Sequence, residues 1–98
     1  MNMIKNFFGI GPKVNLSELI SGGAVIVDVR TQQEFASGHV KGSINIPLQE
    51  LKQKINKLPK NKTIITCCAS GMRSGTAKNI LLANGFATVH NGGSWTSL

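Results

Sequence analysis

Residues 24–29 read Ala-Val-Ile-Val-Asp-Val, a nearly continuous run of apolar and β-branched residues. Such a run is typical of a strand that is buried on both faces, as in a parallel sheet. Residues 63–67, Thr-Ile-Ile-Thr-Cys, have the same character, and shorter strands are predicted at 43–46 and 86–90. Because helical patterns separate these strands, the chain is predicted to be an α/β domain with a mostly parallel sheet and right-handed crossovers.

Helices are predicted in the segments between the strands, over residues 15–22, 31–38 and 48–57 and over about ten residues from Ser74. Thr31 and Glu34 have the spacing of a capping box, in which each side chain bonds to the other residue's backbone N–H. Gly92-Gly93 is expected to break the last strand, because glycine weakens a strand interior.

The length and composition indicate one globular domain. The chain has 98 residues, of which 41% are hydrophobic, and a chain of this size supports one modest core. We expect residues 1–12 to be an N-terminal tail and residues 13–98 to be the domain. No apolar stretch approaches the roughly 18–20 residues that span a bilayer, and the start lacks a signal-peptide cleavage site. The protein is therefore predicted to be cytoplasmic, with no membrane contact.

The charge is strongly positive, with 11 basic against 4 acidic residues and a formal net charge of +7. Several lysines cluster between residues 52 and 62, which is typical of a solvated helix face and loop. The same surface could attract small anions or an acidic partner protein. The chain has no Tyr, and no aromatic residues alternate with the lysines, so nucleic-acid binding is not predicted.

The two cysteines, Cys67 and Cys68, are adjacent and therefore cannot form a disulfide framework. Together with His39 and His90 they match no zinc-binding spacing. We predict no metal site and no cofactor.

The most informative segment is residues 67–74, Cys-Cys-Ala-Ser-Gly-Met-Arg-Ser. It lies between a predicted buried strand and a helix, where unpaired N–H groups and the helix dipole favour an anion. A cysteine there should have a lowered pKa and be largely thiolate. Gly71 permits a positive φ, and Arg73 adds a guanidinium suited to an oxyanion. These residues indicate an activated cysteine that faces an anionic substrate.

At this point the chain resembles the rhodanese superfamily over residues 14–95. The matching pieces, in this order, are residues 26–30, 34–47, 68–74, 84–86, 92–93 and Trp95. The resemblance implies a rhodanese-like three-layer α/β/α domain with a five-stranded, mostly parallel sheet. It also implies a sulfurtransferase in which Cys68 takes sulfane sulfur from a small anionic donor such as thiosulfate. The persulfide on Cys68 would then pass sulfur to a thiophilic acceptor, cyanide or a thiol.

The resemblance also implies a substrate-binding role for the loop that follows Cys68. The residues implied to bind substrate, chiefly through backbone N–H groups around the terminal sulfur, are Ala69, Ser70, Gly71, Met72, Arg73 and Ser74. Many family members have a basic residue directly after the cysteine, whereas this chain has Ala69, which puts thiosulfate as the natural donor in question. Asp28 and Arg30 are expected to fix the turn after their strand by hydrogen bonds and an ion pair, or to assist the site electrostatically.

Two other interpretations remain open. Counted from Cys67, the loop reads Cys-x5-Arg-Ser, the spacing of cysteine-dependent phosphatases and of arsenate reductases of a related fold. We favour Cys68, because Gly71 and Arg73 then fall where rhodaneses place them and because Thr66 stands where those phosphatases usually have histidine. An extended strand would also turn the Cys67 side chain away from the loop. The other alternative is a non-catalytic binding module, against which the intact Cys68 and Arg73 argue.

Overall fold

The computed structural model describes residues 14–98, so the family-like region is covered while the predicted tail at 1–12 lies outside the described residues. The strands are β1 (Val25–Asp28), β2 (Ile44–Asn45), β3 (Ile64–Cys68) and β4 (Val89–Ser94). The α-helices are α1 (Leu16–Ser21), α2 (Gln32–Ala36), α3 (Leu51–Lys54) and α4 (Met72–Ala83). Three 3₁₀ turns complete the described chain, at Leu48–Glu50, Ile55–Lys57 and Trp95–Ser97.

The sheet is parallel throughout and has the strand order β2-β1-β3-β4. This confirms the predicted α/β class. The prediction of a five-stranded sheet is wrong for residues 14–98, where the sheet has four strands. The residue pattern explains the difference, because only four runs in this range have strand character and the segments between them form helices, 3₁₀ turns and loops.

Apolar side chains pack on both faces of the sheet. On one face, Val27, Ile64 and Cys68 pack with residues of α3 and α4 and with Phe86. On the other face, Ile26, Ile65 and Cys67 pack with α1 and Trp95. The sheet therefore lies between two layers, because successive side chains of a strand point to opposite faces. This arrangement matches the three-layer architecture that the resemblance implied.

The helix boundaries agree with local signals in most places. The capping box of Thr31 and Glu34 is present at the start of α2, as predicted. Helix α4 begins at Met72, two residues before the predicted Ser74, and its N-cap is Gly71 with φ 105°, a conformation that favours glycine. Residues 48–57 are not one continuous helix but a single turn of α-helix between two 3₁₀ turns.

Strand β4 differs most from its prediction, because it begins at Val89 and runs through Gly92-Gly93 to Ser94. Thr66 is opposite Asn91 and Cys68 is opposite Ser94, so β4 contains one extra residue there and forms a bulge. A Cβ on Gly92 would lie 2.9 Å from Ile65 Cγ2. Gly92 therefore allows close approach to β3, and neither glycine ends the strand.

Among residues 14–98, no helix is both long enough and apolar enough to cross a membrane.

Candidate active site

The loop after β3 is built around Cys68. This residue ends the strand and is buried, and its side chain faces the layer that contains α4. The Gly71 N–H lies 3.0 Å from Cys68 Sγ and the Ser74 N–H lies 3.4 Å from it. Because α4 has 12 residues and starts at this loop, the positive end of its dipole also faces the sulfur. Residues 68–74 thus form a cradle suited to an anionic sulfur.

Two opposing effects determine the pKa of Cys68. Burial raises the pKa of the thiol, but hydrogen bonds from the Ser74 hydroxyl and from the Ser74, Gly71 and Ser70 N–H groups lower it further than burial raises it. The resulting pKa is about 7, against an ordinary value of 9.0. A large fraction of Cys68 is therefore thiolate near neutral pH, and the thiolate is the nucleophilic form of cysteine.

Cys67 has the opposite environment. Its side chain is buried on the other face of the sheet, against Ile26 and Ile65. Burial, with a smaller effect of the nearby Asp28 carboxylate, raises the pKa of the Cys67 thiol to about 12. The phosphatase-like arrangement would need Cys67 as its nucleophile, and a protonated thiol pointing away from the loop does not suit that role.

The Arg73 guanidinium is already engaged. Its two Nη atoms donate to the two carboxylate oxygens of Glu34, at 2.7 and 3.0 Å. Arg73 and the N–H of Thr31 hold the pKa of Glu34 at about 2, so the pair stays charged at neutral pH. This differs from the expectation of a guanidinium open to a substrate oxyanion. Glu34 therefore links α2 to the start of α4 beside Cys68, a contact that its place in the capping box and in the matching piece 34–47 did not predict.

Asp28 and Arg30 form a buried ion pair at the end of β1, with 2.7 Å between Arg30 Nη2 and Asp28 Oδ2. The same Nη2 donates to the Gly38 carbonyl at 2.7 Å, and the guanidinium lies 4.5 Å from the Trp95 ring centroid. These contacts fasten the segment after β1 to the sheet. They support the predicted role of the two residues in fixing the turn.

Ser74 and Asn91 complete the surroundings of Cys68. Ser74 Oγ donates to Asn91 Oδ1 at 2.6 Å and lies 3.4 Å from Cys68 Sγ. Asn91 Nδ2 donates to the Gly71 carbonyl at 3.0 Å. Asn91 has no signal in the sequence, because it belongs to no motif and only precedes Gly92-Gly93. Only the parallel pairing of β3 with β4 places it beside the loop.

The other loop side chains face outward. Ala69, Ser70 and Met72 are exposed, and Met72 is 81% exposed. The predicted site residues are thus brought together in two groups. Backbone groups and Ser74 surround the sulfur, while the side chains of residues 69, 70 and 72 form the outer surface of the loop.

Comparison with known proteins identifies the family of the chain. A family model described as rhodanese-like domain matches residues 13–96. The chain is 44% identical over 69 residues to the thiosulfate sulfurtransferase PspE of Escherichia coli. This alignment covers 68% of the chain and 66% of PspE. It is 40% identical over 68 residues to the uncharacterized protein YqhL of Bacillus subtilis, covering 69% of the chain and 54% of YqhL. The chain thus spans between about half and two thirds of the length of these curated relatives.

A solved structure gives the same result for the fold. The structure described as rhodanese with anions from E. coli superimposes with a TM-score of 0.73 at 37% identity. The superposition covers 78% of this chain and 92% of that one.

Proposed function

The chain belongs to the rhodanese-like domain family, and we propose that it is a sulfurtransferase that carries sulfane sulfur as a persulfide on Cys68. The observation that carries the proposal is the position of Cys68 Sγ among the N–H groups of Gly71 and Ser74 at the start of α4. These donors favour a negative charge on sulfur, which both the thiolate and the persulfide bear.

In the first half-reaction, the Cys68 thiolate attacks the outer sulfur of a donor such as thiosulfate. A bond forms between Sγ and that sulfur, the sulfur–sulfur bond of the donor breaks, and sulfite leaves with the electron pair. Because Cys68 is buried, the donor's outer sulfur has to enter past the exposed residues of the loop. The cradle then holds the terminal sulfur of the persulfide.

In the second half-reaction, a thiolate or cyanide attacks the terminal sulfur of the persulfide. The bond between the two sulfurs breaks, the Cys68 thiolate is restored, and the product is a new persulfide or thiocyanate. This double displacement needs no metal or redox cofactor, because sulfane sulfur moves between nucleophiles without net oxidation.

The identity of the donor is part of the proposal. PspE is named a thiosulfate sulfurtransferase, which supports thiosulfate or a chemically similar anion. In this chain Ala69 adds no charge after the nucleophile, and Arg73 is bound to Glu34. Donor binding would therefore depend on the backbone N–H groups and on the overall positive charge. Both cysteines are free, which suits a reducing compartment, and we place the activity in the cytoplasm.

The test is to load the protein with thiosulfate, remove the excess, and record intact and peptide mass spectra. We expect the mass of one sulfur atom to be added to the peptide and to be lost again on addition of cyanide. Since both cysteines lie on one peptide, the matched variants assign the site. Cys67→Ser should still gain sulfur, and Cys68→Ser should not.

Two outcomes would contradict the proposal. Sulfur gained by Cys68→Ser would place the persulfide on Cys67. Loss of two hydrogens without added sulfur would show that the adjacent cysteines form a redox couple.

A further inference from the structure

The Ser74 hydroxyl lies between two groups that compete for its single proton. Ser74 Oγ is 2.6 Å from Asn91 Oδ1 and 3.4 Å from Cys68 Sγ. When Cys68 is a thiol, its S–H donates to Ser74 Oγ and the hydroxyl donates to Asn91. When Cys68 is a thiolate, the sulfur has no proton and becomes a strong acceptor. A hydroxyl has only one proton to donate, so it cannot serve both acceptors at once.

We propose that Asn91 is a positioning residue that controls ionisation of Cys68 through Ser74. In the thiol state Asn91 Oδ1 accepts the hydrogen bond of the Ser74 hydroxyl. In the thiolate state the same hydroxyl donates to Cys68 Sγ instead. On ionisation the Cys68 proton passes to solvent, and the Ser74 O–H bond turns from Asn91 toward the sulfur. The only bond broken is the S–H bond. The proposal rests on the proposed function in taking Cys68 as the nucleophile.

Asn91 is held in place independently of Ser74. Its Oδ1 also accepts the Gly93 N–H at 2.9 Å, and its Nδ2 donates to the Gly71 carbonyl at 3.0 Å. After the hydroxyl turns away, Oδ1 therefore keeps one donor. A Cβ on Gly75 would lie 3.2 Å from Asn91 Nδ2, so the glycine in α4 leaves room for the amide. These contacts keep the acceptor fixed while the hydroxyl moves.

Two other titratable groups interact electrostatically with Cys68, namely Arg73 on α4 and Cys67 on β3. Arg73 is paired with Glu34 of α2, and Cys67 interacts with Asp28 and Arg30 at the end of β1. The titratable residue of β4, His90, is opposite Ile65, below the level of Cys68. All of these groups are unchanged in the variants proposed below, so their effects are common to every measurement.

The test is a titration of the Cys68 thiolate by its ultraviolet absorbance in the wild type, Asn91→Leu and Asn91→Asp. Cys67 does not interfere, because its pKa of about 12 lies above the range of interest. Leu has nearly the shape of Asn and cannot accept a hydrogen bond, so Ser74 should donate to Sγ alone. We expect Asn91→Leu to lower the pKa of Cys68 by about one unit, because a shift of this size corresponds to the free energy of about one hydrogen bond to a charged group.

Asn91→Asp should raise the pKa of Cys68 by about one unit, because a carboxylate holds the hydroxyl proton more strongly and adds negative charge. Both variants lose the Nδ2 donor to the Gly71 carbonyl. An effect transmitted only through loop position would therefore move the pKa in the same direction in both, and that result would overturn the proposal.

Ser74→Ala provides the second arm. It should raise the pKa of Cys68 by about one unit and abolish the shift that Asn91→Leu causes. A shift of the same size when Asn91→Leu is combined with Ser74→Ala would show that Asn91 does not act through the hydroxyl. If Ser74→Ala fails to fold, the shift caused by Asn91→Leu decides, because this variant adds no charge, and an unchanged or raised Cys68 pKa in it would overturn the proposal. The titration uses no sulfur donor, so failure of persulfide loading and failure of this proposal are separate results.

Discussion

At the scale of single residues, the two adjacent cysteines end the same strand but face opposite layers of the core. Cys68 packs with the layer of α4 and Cys67 with the layer of α1, because side chains alternate along a strand. Hydrogen-bond donors surround only Cys68. The two neighbouring thiols therefore differ widely in pKa, which is about 7 for Cys68 and about 12 for Cys67.

This difference predicts that Cys67→Ala keeps most of the sulfurtransfer activity. Loss of the buried sulfur should destabilise the fold by about 1 kcal/mol, because a small apolar group is removed from a packed core. Denaturant unfolding would measure the stability, and thiosulfate:cyanide turnover the activity. Cys68→Ala is the matched control, with its turnover lost. Equal loss of turnover in both variants would show that Cys67 takes part in the reaction.

A second prediction concerns pH. In the proposed mechanism only the thiolate attacks the donor, so the rate of sulfur loading should rise as the pH rises toward the Cys68 pKa of about 7 and level off above it. The direction follows from the lowered pKa, since more thiolate is present at each pH than for an ordinary thiol. Single-turnover loading at a series of pH values measures this profile. A rate still rising steeply at pH 9.0, the ordinary value, would contradict a stabilised thiolate.

At the scale of secondary-structure elements, the approach of β4 to β3 shapes the site. Gly92 lets the strands come close, since a Cβ there would lie 3.0 Å from the Thr66 carbonyl oxygen. The bulge that follows shifts the register, so that Ser94 and not Gly93 is opposite Cys68. The same approach brings Asn91 to the start of α4. The first glycine of the Gly92-Gly93 pair therefore has a packing role.

Gly92→Ala is predicted to destabilise the domain by about 1–3 kcal/mol, because the added methyl overpacks a contact with β3 that cannot relax cheaply. Gly22→Ala is the matched control. Gly22 has φ −82°, and its Cβ would make ordinary contacts at 3.4 Å and beyond, so little change is expected. Thermal or denaturant unfolding of both variants gives the comparison. A Gly92→Ala protein as stable as the control would show that the close approach does not require glycine.

At the scale of the whole molecule, the charge is unevenly compensated. Three of the four acidic side chains, Asp28, Glu34 and Glu50, are in ion pairs with Arg30, Arg73 and Lys54. The excess of positive charge is therefore carried mainly by lysines, several of them exposed between residues 52 and 62. A net charge of +7 attracts anions over distances of about a Debye length, roughly 10 Å at 0.1 M salt.

We expect kcat/KM for thiosulfate to fall as ionic strength rises, because salt screens this attraction. Steady-state rates at several salt concentrations measure the dependence, with a neutral thiol as acceptor. Lys52→Glu/Lys57→Glu should flatten the dependence, since both side chains are exposed and belong to the lysine cluster. A dependence equally steep in this variant would show that local groups at the loop, and not overall charge, attract the donor.

The sequence alone determined the fold class, the approximate positions of β1, β2 and β3, the capping box and the loop around Cys68. These features follow from local chemistry, namely apolar periodicity, turn residues and the spacing of short motifs. The preference for Cys68 over Cys67 came from the resemblance to rhodaneses, and the opposite faces of the two side chains agree with it. The number of strands was not determined in this way, because the count of five rested on resemblance alone.

Only the tertiary structure decided which side chains meet around the sulfur. Glu34 binds Arg73 across 39 residues of sequence, and Asn91 bonds to Ser74 across 17. Such partners depend on strand order and register, which carry no local signal. Whether Arg73 is open to a substrate, and how close β4 can come to β3, likewise depend on packing between distant segments. Local chemistry therefore determined the position of Cys68 in the loop, and long-range packing determined which groups surround its sulfur.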